Sequence, residues 1–499
     1  MSAPARRLSE LLAGFAAPTA AAGIVVSGLS MDSRQVRRGD AFIALRGSLA
    51  HGITFAPAAL ASGASVVLAE APAPVAFEPG IGKENRAPVM WIDGLRDQVG
   101  EIAARFFGRP SAALHMIGVT GTNGKTSIVQ LLASALESLG ARAATIGTLG
   151  AGFAGAMAAG ERTTPDAISV QALLAGFRDA GATHAAMEVS SHALDQGRVN
   201  AVAFEVAVFT NLTRDHLDYH GTMAAYGAAK AKLFTWPGLR SAVINADEGF
   251  GRELAADLRA DVRGLRYGID TADADVRAHA VRSSGAGLEF MLRTPWGEGA
   301  IASSLLGRFN IYNLLAVAGC LGALGYTFAQ IKKALTQLKP VVGRMNRLGG
   351  GATTPLVVID YAHTPDALEQ ALTSLRAHCV GRLVCVFGCG GERDQGKRSQ
   401  MGAIAERLAD RIIVTDDNPR GENGDAIVAQ IVAGLTQPQR ATIKRDRAAA
   451  IAQALCEARA GDIVLVAGKG HEPYQEIAGS KLAFDDLDVA RRVLEARPC

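Results

Sequence analysis

The sequence predicts an α/β protein with three domains, at residues 1–108, 109–342 and 343–499. Short apolar runs alternate with helical segments along most of the chain, which is typical of mainly parallel sheets covered by helices. The length of 499 residues also fits about three domains of roughly 150 residues each. Polar, Gly-rich segments follow several of the apolar runs, as ligand-binding loops do in doubly wound sheets.

The composition excludes several classes of protein. An apolar content of 49% argues against disorder, and a net charge of +3 argues against a nucleic-acid or polybasic membrane binder. The 6 cysteines show no pairing rhythm, which favours reduced thiols in the cytoplasm. Pro18 and Gly23 interrupt the first apolar stretch, so we expect a short first helix over residues 8–12 rather than a signal peptide. The sequence has no long apolar run or heptad pattern, so we expect a monomer without membrane insertion.

The N-terminal domain is predicted to be a small α/β unit. Residues 41–45 and 65–69 are short apolar strands, and residues 56–62 between them are helix-like. The Pro- and Ala-rich segment 71–88 indicates a surface loop, and the Gly-Arg-Pro sequence at 108–110 indicates a domain boundary.

The second and third domains alternate strands with helices. In the second domain, strands are predicted at 115–119, 142–146, 183–188, 205–210 and 241–245, and helices at 125–139, 166–180, 222–235, 309–324 and 328–338. Residues 275–306 alternate as antiparallel strands do. In the third domain, strands are predicted at 356–360, 382–387, 411–415 and 463–466, and helices at 365–378, 397–409, 424–435 and 447–459. This last alternation predicts a doubly wound, Rossmann-like sheet.

A variant phosphate-binding loop is the strongest single signal. The sequence TGTNGKT, from Thr120 to Thr126, lies between a predicted strand and a predicted helix. Its glycines allow backbone N–H groups to surround phosphate oxygens, and the start of the helix adds partial positive charge. Lys125 can reach terminal phosphates, and the Thr126 hydroxyl can hold Mg²⁺. Val119 stands where the strict pattern requires Gly.

Two further polar segments follow strands of the same predicted sheet. Glu188 ends the strand at 183–188 and is placed to ligate Mg²⁺, although an exposed strand-end carboxylate would have the same spacing. The segment 211–221 brings Asp215 and His216 together with an Arg and a second His. Its spacing leaves a metal site, an acid–base site and a hydrogen-bonded network equally open.

Four polar segments follow strands of the third domain. Asp360 and His363 follow the first strand, at a strand-to-helix turn. Segment 388–398 combines glycines with three cations and suits an anion, unless it is a solvated basic loop. Together with segments 416–420 and 468–472, it would open on one edge of the sheet, where a shared pocket could form. A nucleotide site and a charged pocket in neighbouring domains favour an ATP-dependent enzyme over a binding module.

Six motifs stand in order along the chain. They are TGTNGKT at 120–126, EVSSH at 188–192, TNLTRDH at 210–216, GRFN at 307–310, GRM at 343–345 and DYAHTPD at 360–366. Together they resemble the Mur ligase family, ATP-dependent amide-bond-forming enzymes of peptidoglycan synthesis, over essentially the full length. Departures are small, since Ser127 and Asn346 stand where many relatives have Thr and Glu.

The resemblance implies a reaction. Within the family, Asp417-Asn-Pro-Arg420 resembles the branch that adds meso-diaminopimelate to the D-Glu carboxylate of UDP-N-acetylmuramoyl-L-alanyl-D-glutamate, through an acyl phosphate. The planar guanidinium of Arg420 suits the additional carboxylate of diaminopimelate, whereas L-lysine would leave it unpaired. The alternatives are an L-lysine-adding ligase, a folylpolyglutamate-synthetase-like ligase and a nucleotide-regulated switch protein. Arg420 argues against the first, and the Asn-Pro-Arg segment with the N-terminal Asp-Ser-Arg domain argues against the second.

The resemblance also implies roles for individual residues. ATP would contact Gly121, Thr122, Asn123, Gly124, Lys125, Thr126, Ser127, Asn310, Arg344 and Asp360. The UDP-muramyl dipeptide, anchored by a UDP-binding N-terminal domain, would contact Ser33, Ser48, Leu49, Ala50, Thr163, Thr164, Ser190, Gln196 and Arg198. Diaminopimelate would contact Arg393, Asp417, Asn418, Arg420, Gly468 and Glu472. Metal ligands would be Thr126, Glu188, His216 and Lys230, and catalytic residues would be Lys125, Lys230, His216 and His363.

Lys230 matches the family's carbamylated lysine. A CO₂-derived carbamate would turn this cation into an anion that can bind Mg²⁺. Carbamylation requires the neutral amine, so a depressed pKa would help. Without the resemblance, the position of Lys230 indicates an exposed lysine on a helix surface.

Overall fold

The computed structural model describes residues 5–16, 21–47, 50–75, 87–160, 162–284 and 287–496. The chain forms two compact units, of which the first comprises residues 1–244 and 248–265 and the second residues 245–247 and 266–499. The predicted loop at 71–88 lies partly outside the described residues, as do Ser48 and Leu49. The division into three domains stays a prediction.

The N-terminal part of the first unit contains a four-stranded parallel sheet with the order β3-β4-β5-β6 and a separate antiparallel pair, β1-β2. The strands are β1 (Arg6–Arg7), β2 (Val25–Val26), β3 (Gly28–Ser30), β4 (Asp40–Ala44), β5 (Val66–Glu70) and β6 (Val89–Ile92). The helices are α1 (Leu8–Leu11), α2 (Ala56–Ala61) and α3 (Leu95–Phe106). The predicted strands, the helix at 56–62 and the short first helix are confirmed.

The second part of this unit is built on a mainly parallel sheet with the order β10-β9-β8-β11-β7-β12-β13, in which only β9 and β10 run antiparallel to their neighbours. The strands are β7 (His115–Thr120), β8 (Ala143–Gly147), β9 (Gly150–Phe153), β10 (Ala156–Ala158), β11 (His184–Glu188), β12 (Val206–Phe209) and β13 (Ser241–Asn245). The helices are α4 (Lys125–Ser138), α5 (Ala167–Asp179), α6 (Ser191–Asp195), α7 (Leu217–His220), α8 (Met223–Ala231) and α9 (Gly249–Ala256). Parallel pairing of β7, β11 and β12 places their following loops at one edge of the sheet.

The second unit begins within β14 and continues through an antiparallel meander, as predicted for residues 275–306. The strands are β14 (Arg263–Gly268), β15 (Val276–Ser284), β16 (Gly287–Thr294) and β17 (Gly297–Ser303). Two helices follow, α10 (Arg308–Ala323) and α11 (Phe328–Gln337). A Thr327–Gln330 capping box begins α11.

The rest of the second unit is a doubly wound sheet with the order β18-β19-β23-β20-β21-β22, parallel except for β18. The strands are β18 (Asn346–Gly349), β19 (Leu356–Asp360), β20 (Leu383–Phe387), β21 (Arg411–Val414), β22 (Ala441–Ile443) and β23 (Ile463–Ala467), with a hairpin of β24 (Tyr474–Ile477) and β25 (Ser480–Ala483). The helices are α12 (Pro365–Arg376), α13 (Gly396–Leu408), α14 (Gly424–Val432), α15 (Arg447–Glu457) and α16 (Asp486–Glu495).

Alternating side chains of this sheet enter two different apolar layers, as burial on both faces requires. Val357 and Ile359 pack into one layer, whereas Leu356 and Val358 pack into the other. The α/β class is therefore confirmed at the level of packing. None of the helices in the described part of the chain combines the length and hydropathy needed to cross a membrane.

Candidate active site

The phosphate-binding loop joins β7 to α4, as the sequence predicts. Gly121 and Gly124 adopt φ values of +144° and +88°, a region that disfavours other residues. A Cβ on Gly121 would lie 1.8 Å from Thr210 Oγ1, at the end of β12. Glycine is therefore needed here both for the turn and for the close approach of the next strand.

The segment after β12 braces this loop. Asn211 Oδ1 accepts a hydrogen bond from the Asn123 N–H at 2.8 Å, and Thr210 Oγ1 donates to the Asn123 carbonyl at 2.6 Å. The Lys125 amine donates to the carbonyls of Gly121 and Thr122, at 2.8 Å each. Asn211 therefore takes part in a hydrogen-bonded network, and the three interpretations of segment 211–221 stay open.

Glu188 is a buried acceptor at the end of β11. It is 1% exposed, so the alternative of an exposed strand-end carboxylate is wrong. Thr126 Oγ1 donates to Glu188 Oε2 at 2.9 Å, and the Thr148 N–H donates to Oε1 at 2.7 Å. A hydroxyl and a carboxylate side by side are hard oxygen ligands, and these residues fit Mg²⁺.

Lys230 lies on α8 and is buried, at 1% exposure, so the interpretation of a helix-surface lysine is wrong. Its amine donates to the Gly121 carbonyl at 2.8 Å and lies 4.2 Å from the centroid of the Tyr226 ring. Burial, and then the nearby charge of Lys125, lower the pKa of Lys230 well below its ordinary value. The neutral amine that carbamylation requires is therefore favoured, and the residue fits that modification.

A cluster of aromatic side chains lies near the same loop. The ring of His216 packs edge-on against His192, with centroids 4.8 Å apart, and contacts Tyr226 at 6.1 Å. Burial lowers the pKa of His216, and it lowers the pKa of His192 to about 4. Burial therefore favours the neutral form of both rings. A metal or acid–base role for His216 stays a prediction.

The predicted contacts of the muramyl dipeptide fall into two places. Thr164 Oγ1 donates to the Glu188 carbonyl at 2.8 Å and accepts from the Ser190 N–H at 3.2 Å. Arg198 donates to the Thr164 carbonyl at 3.1 Å and to Gln196 Oε1 at 2.9 Å. Thr163 joins this group through a hydroxyl contact with Thr148 of 3.0 Å. Of the N-terminal set, Ser33 lies in the turn after β3 and Ala50 is exposed, whereas Ser48 and Leu49 lie outside the described residues.

In the second unit, Asp360 ends β19 and is buried. It accepts a hydrogen bond from the Met345 N–H at 2.9 Å, and burial raises its pKa although Arg344 opposes that shift. The Arg344 guanidinium lies 4.7 Å from the Tyr361 ring centroid, and His363 Nδ1 lies 2.8 Å from the Tyr361 carbonyl oxygen. Arg344, Asp360 and His363 are therefore grouped around the end of β19.

Asn310 lies on α10 and is buried. Its amide donates to the Leu306 carbonyl at 2.7 Å and accepts from Asn313 at 2.8 Å. These contacts fix its orientation within the helix.

The loops after β20, β21 and β23 form what we call the polar pocket, made of residues 388–393, 416–420 and 468–472. Asn418 Nδ2 donates to Glu472 Oε2 at 2.8 Å, across two of these loops. Asp417 is buried, which raises its pKa, and its Oδ2 has no hydrogen-bond partner among the described residues. Gly468 adopts a φ of +118°, and a Cβ there would lie 2.4 Å from Asp417 Oδ2.

Arg420 joins this pocket to the β24–β25 hairpin. Its guanidinium donates to the Gly391 carbonyl at 2.7 Å and lies 3.3 Å from Glu476 Oε2. The Arg420 N–H also donates to the Glu476 carbonyl at 3.0 Å. Arg393 is exposed and donates to the neighbouring Glu392 carbonyl at 3.4 Å.

Sequence reasoning missed the buried charges beneath the polar pocket. Arg447 on α15 and Asp486 on α16 form a bidentate ion pair with both side chains fully buried, at 2.7 and 2.8 Å. Arg447 also donates to the carbonyls of Asp416 and Ala467, at 3.2 and 3.0 Å. Lys469 is likewise fully buried. No local motif marks such charges, because their partners are distant in sequence.

Arg398 fits neither of the two interpretations of segment 388–398, which were an anion-binding loop and a solvated basic loop. It is fully buried and forms an ion pair with Glu422 at 2.6 Å, and it also donates to the Gly390 carbonyl at 3.1 Å. This cation therefore supports the Gly-rich loop from behind, whereas Arg393 faces solvent.

Comparison with known proteins identifies the family of this chain. Models of the Mur ligase catalytic, middle and glutamate ligase domains match residues 25–107, 119–321 and 343–470. The chain is 58% identical over 493 residues to a UDP-N-acetylmuramoyl-L-alanyl-D-glutamate–2,6-diaminopimelate ligase of Xanthomonas oryzae, covering 98% of this chain and 97% of the relative. It is 52% identical over 479 residues to the protein of that name from Pseudomonas aeruginosa, covering 96% and 97%.

Solved structures agree. A structure with the same enzyme name has a TM-score of 0.72 and 37% identity, with 99% of each chain covered. A folylpolyglutamate synthase from Mycobacterium tuberculosis has a TM-score of 0.63 at 19% identity, covering 81% of this chain and 96% of that one, and shares the fold alone. On the family models and full-length relatives together, the chain belongs to the Mur ligase family.

Proposed function

We propose that this protein is an ATP-dependent ligase that joins meso-diaminopimelate to the D-Glu carboxylate of UDP-N-acetylmuramoyl-L-alanyl-D-glutamate, in cytoplasmic peptidoglycan precursor synthesis. The names of its full-length relatives support this activity. The observation that carries it is the polar pocket. In this pocket the Arg420 guanidinium supplies positive charge, and the Glu472 carboxylate, hydrogen-bonded to Asn418, supplies negative charge. Such a pocket suits the zwitterionic far end of diaminopimelate. We further propose a monomer of three domains, with the boundaries predicted above.

ATP would bind through the phosphate loop. Backbone N–H groups from Gly121 to Ser127 and the start of α4 favour phosphate oxygens. The Lys125 amine, now bonded to carbonyls of the loop, would turn to the terminal phosphates. Asn310, Arg344 and Asp360 would bind the rest of the nucleotide.

Mg²⁺ would be held by Thr126 and Glu188, and a second ion by carbamylated Lys230 with His216 nearby. Bound there, the ions would neutralise charge as two anions approach one another. Few protein ligands are needed, because Mg²⁺ keeps waters and phosphate oxygens in such sites. The buried, neutral amine of Lys230 supports carbamate formation.

The acceptor substrate would lie along the Thr164 group. Thr163, Thr164, Ser190, Gln196 and Arg198 would bind its muramyl dipeptide end. Ser33 and the loop at 48–50 would bind its uridine diphosphate end. Because Thr164 bonds directly to the Glu188 backbone, dipeptide and metal would be held by one connected network.

The proposed chemistry has two steps. The D-Glu carboxylate attacks the γ-phosphate of ATP, which gives an acyl phosphate and ADP. The amine of diaminopimelate then attacks the acyl carbon, and the tetrahedral intermediate expels phosphate. Lys125 offsets negative charge in the first step, and His363, beside the Arg344–Asp360 group, is a contributor from the second unit. Asp417, Asn418, Arg420, Gly468, Glu472 and Arg393 hold the amine substrate for the second step.

The test is ADP release by the purified protein with ATP, Mg²⁺ and the UDP-muramyl dipeptide, comparing meso-diaminopimelate with L-lysine. We expect turnover with diaminopimelate alone. Turnover with lysine would keep the ligase and contradict the role of Arg420. Amine-independent turnover would instead indicate a nucleotide-regulated switch protein.

A further inference from the structure

Lys469 is a fully buried side chain in the 468–472 loop of the polar pocket, although its neighbours in sequence are glycines. Its Nζ donates to Asn418 Oδ1 and to Glu472 Oε2, at 3.0 Å each. Asn418 Nδ2 donates to the same Glu472 oxygen at 2.8 Å, which closes a triangle of three side chains. The Tyr474 ring covers the amine, with its centroid 5.5 Å from Nζ. A buried charge costs several kcal/mol unless it is paired, so this triangle is a built feature.

The triangle determines which atoms of the Asn418 amide remain for a ligand. Oδ1 accepts from Lys469 Nζ and from the Glu476 N–H, at 3.0 and 2.9 Å, so both of its acceptor positions are filled. Nδ2 carries two hydrogens, and one donates to Glu472. Within the described residues, the second N–H has no hydrogen-bond partner. Asn418 can therefore offer a ligand only a donor.

The reverse orientation of the amide is excluded by the same contacts. If Oδ1 and Nδ2 exchanged places, an NH₂ group would face the Lys469 ammonium and the Glu476 N–H, and the amide oxygen would face the Glu472 carboxylate. Donor would then meet donor and acceptor would meet acceptor. The flipped orientation would cost about as much free energy as losing several hydrogen bonds. The Glu472 carboxylate also opposes such a flip, but Lys469 Nζ donates to that carboxylate and holds it in place. Lys469 therefore supports two of the three contacts that orient the amide, and the Glu476 N–H supplies the third.

We propose that Lys469 is a positioning residue that fixes the Asn418 amide as a hydrogen-bond donor and so makes the pocket select a carboxylate on the amine substrate. This inference rests on the proposed function and deepens it. With Arg420, Asn418 gives the pocket two donors for one carboxylate. A carboxamide at the far end of a ligand has one acceptor oxygen and one NH₂ group, so it cannot offer a separate acceptor oxygen to each donor. Its NH₂ group would face an N–H donor, and the Asn418 amide cannot turn to offer its oxygen instead.

The test compares meso-diaminopimelate with its far-end monoamide in wild type and Lys469→Met. Losing one charge-assisted hydrogen bond weakens binding by about 10- to 100-fold, so we expect the KM of Lys469→Met for diaminopimelate to rise by that factor. The KM for ATP and the kcat at saturating amine stay within about threefold. The decisive readout is the ratio of kcat/KM for the diacid over that for the monoamide, which falls at least about tenfold because the amide can now flip.

Lys481→Met is the matched control. Lys481 lies on β25 and its amine contacts the same Tyr474 ring, at 4.6 Å, but it is exposed. This variant should keep the wild-type ratio. Asn418→Asp is the second test, because it keeps Lys469 paired but removes the N–H donor of the side chain. The ratio of kcat/KM for the diacid over the monoamide should fall in this variant as it does in Lys469→Met. This test remains available if Lys469→Met fails to fold.

The outcomes separate this inference from the proposed function. A Lys469→Met enzyme, or an Asn418→Asp enzyme, that keeps the wild-type ratio would overturn the role of Lys469 alone. Equal losses with both amines would also overturn it, since they indicate general damage. A wild-type protein that neither binds nor turns over diaminopimelate would overturn the proposed function and this inference together.

Discussion

The phosphate loop of the first unit and the polar pocket of the second both follow the carboxyl ends of parallel strands, but different contacts shape them. The loop takes its shape largely from its own backbone, through the positive φ of Gly121 and Gly124 and the bonds of Lys125 to carbonyls three and four residues away. Thr210 and Asn211 brace it from the end of β12. The pocket is shaped by side chains far apart in sequence. Asn418 and Glu472 are separated by 54 residues.

We expect the two regions to respond differently to substitution. A backbone loop survives the loss of one side chain, so a change there should affect the reaction and leave the fold intact. A pocket held by buried charges depends on each of them for its shape, because an unpaired buried charge is costly. Four substitutions test this contrast.

Lys125→Ala has the largest expected effect, and it should break activity without breaking the fold. Removing the cation that faces the terminal phosphates should lower kcat for ADP release by about 10³-fold or more. The thermal midpoint should change little, because the amine donates to two carbonyls of its own loop. Lys232→Ala, an exposed lysine of the same unit, is the control. Turnover retained in Lys125→Ala would remove this residue from the γ-phosphate role.

Asp486→Asn should do the opposite and destabilise the fold beneath the polar pocket. It leaves Arg447 buried without its carboxylate, which costs about 3–5 kcal/mol of unfolding free energy. Asp488→Asn, in the same first turn of α16, is matched, since Asp488 pairs with Arg491 at the surface and should lose under about 1 kcal/mol. Denaturant unfolding measures both. Equal losses would contradict a special role for the buried pair.

Arg420→Ala tests the pocket at its partly exposed edge. We expect KM for diaminopimelate to rise by about 10- to 100-fold, the factor for one charge-assisted hydrogen bond, while KM for ATP changes far less. Arg440→Ala, an exposed arginine of the same unit, should leave both values unchanged. If the two KM values rose together, the carboxylate role of Arg420 would be wrong.

Lys230→Met has the smallest expected effect on stability, and it tests a buried amine beside the phosphate loop. Its pKa is depressed in the folded protein, so the unfolded chain binds the proton more readily. Wild-type stability should rise relative to the variant as pH increases from that depressed pKa toward the unfolded value of roughly 10.4. In CO₂-free buffer, Lys230→Met should therefore be the more stable protein at neutral pH, by a margin that shrinks on alkalinisation.

Thermal midpoints from pH 6 to pH 9 measure this margin, in steps of about one pH unit. Lys232→Met, an exposed lysine just beyond α8, is the control and should show no such trend. A margin that does not change between pH 6 and pH 9 would mean that Lys230 keeps its proton in the folded protein.

The strands and helices were predictable where apolar periodicity is strong. The helix predicted at 125–139 is α4 (Lys125–Ser138), and the strand predicted at 463–466 is β23 (Ile463–Ala467). Short edge strands such as β18 and β22, and the β24–β25 hairpin, were missed. Such segments are half-exposed and lack an apolar run, so their pairing depends on the strand beside them.

In the candidate site, the phosphate loop was predictable because its seven residues are contiguous and their chemistry is local. The burial of Glu188 and Lys230 was not, since spacing alone allowed an exposed carboxylate and a surface lysine. Their environment comes from Thr126, Thr148 and Gly121, which lie on other elements.

The α/β class, the order of strands and helices, and the phosphate loop could be predicted from the sequence, because each depends on residues within one element or one turn. Which charges are buried, and which groups they contact, depends on the folded structure. Lys469 orients Asn418, and Arg447 joins the ends of β21 and β23, only because folding brings distant loops to one edge of a sheet. In that interior water cannot solvate a charge, so each buried group must find its partner in the protein, and the partner sets its role.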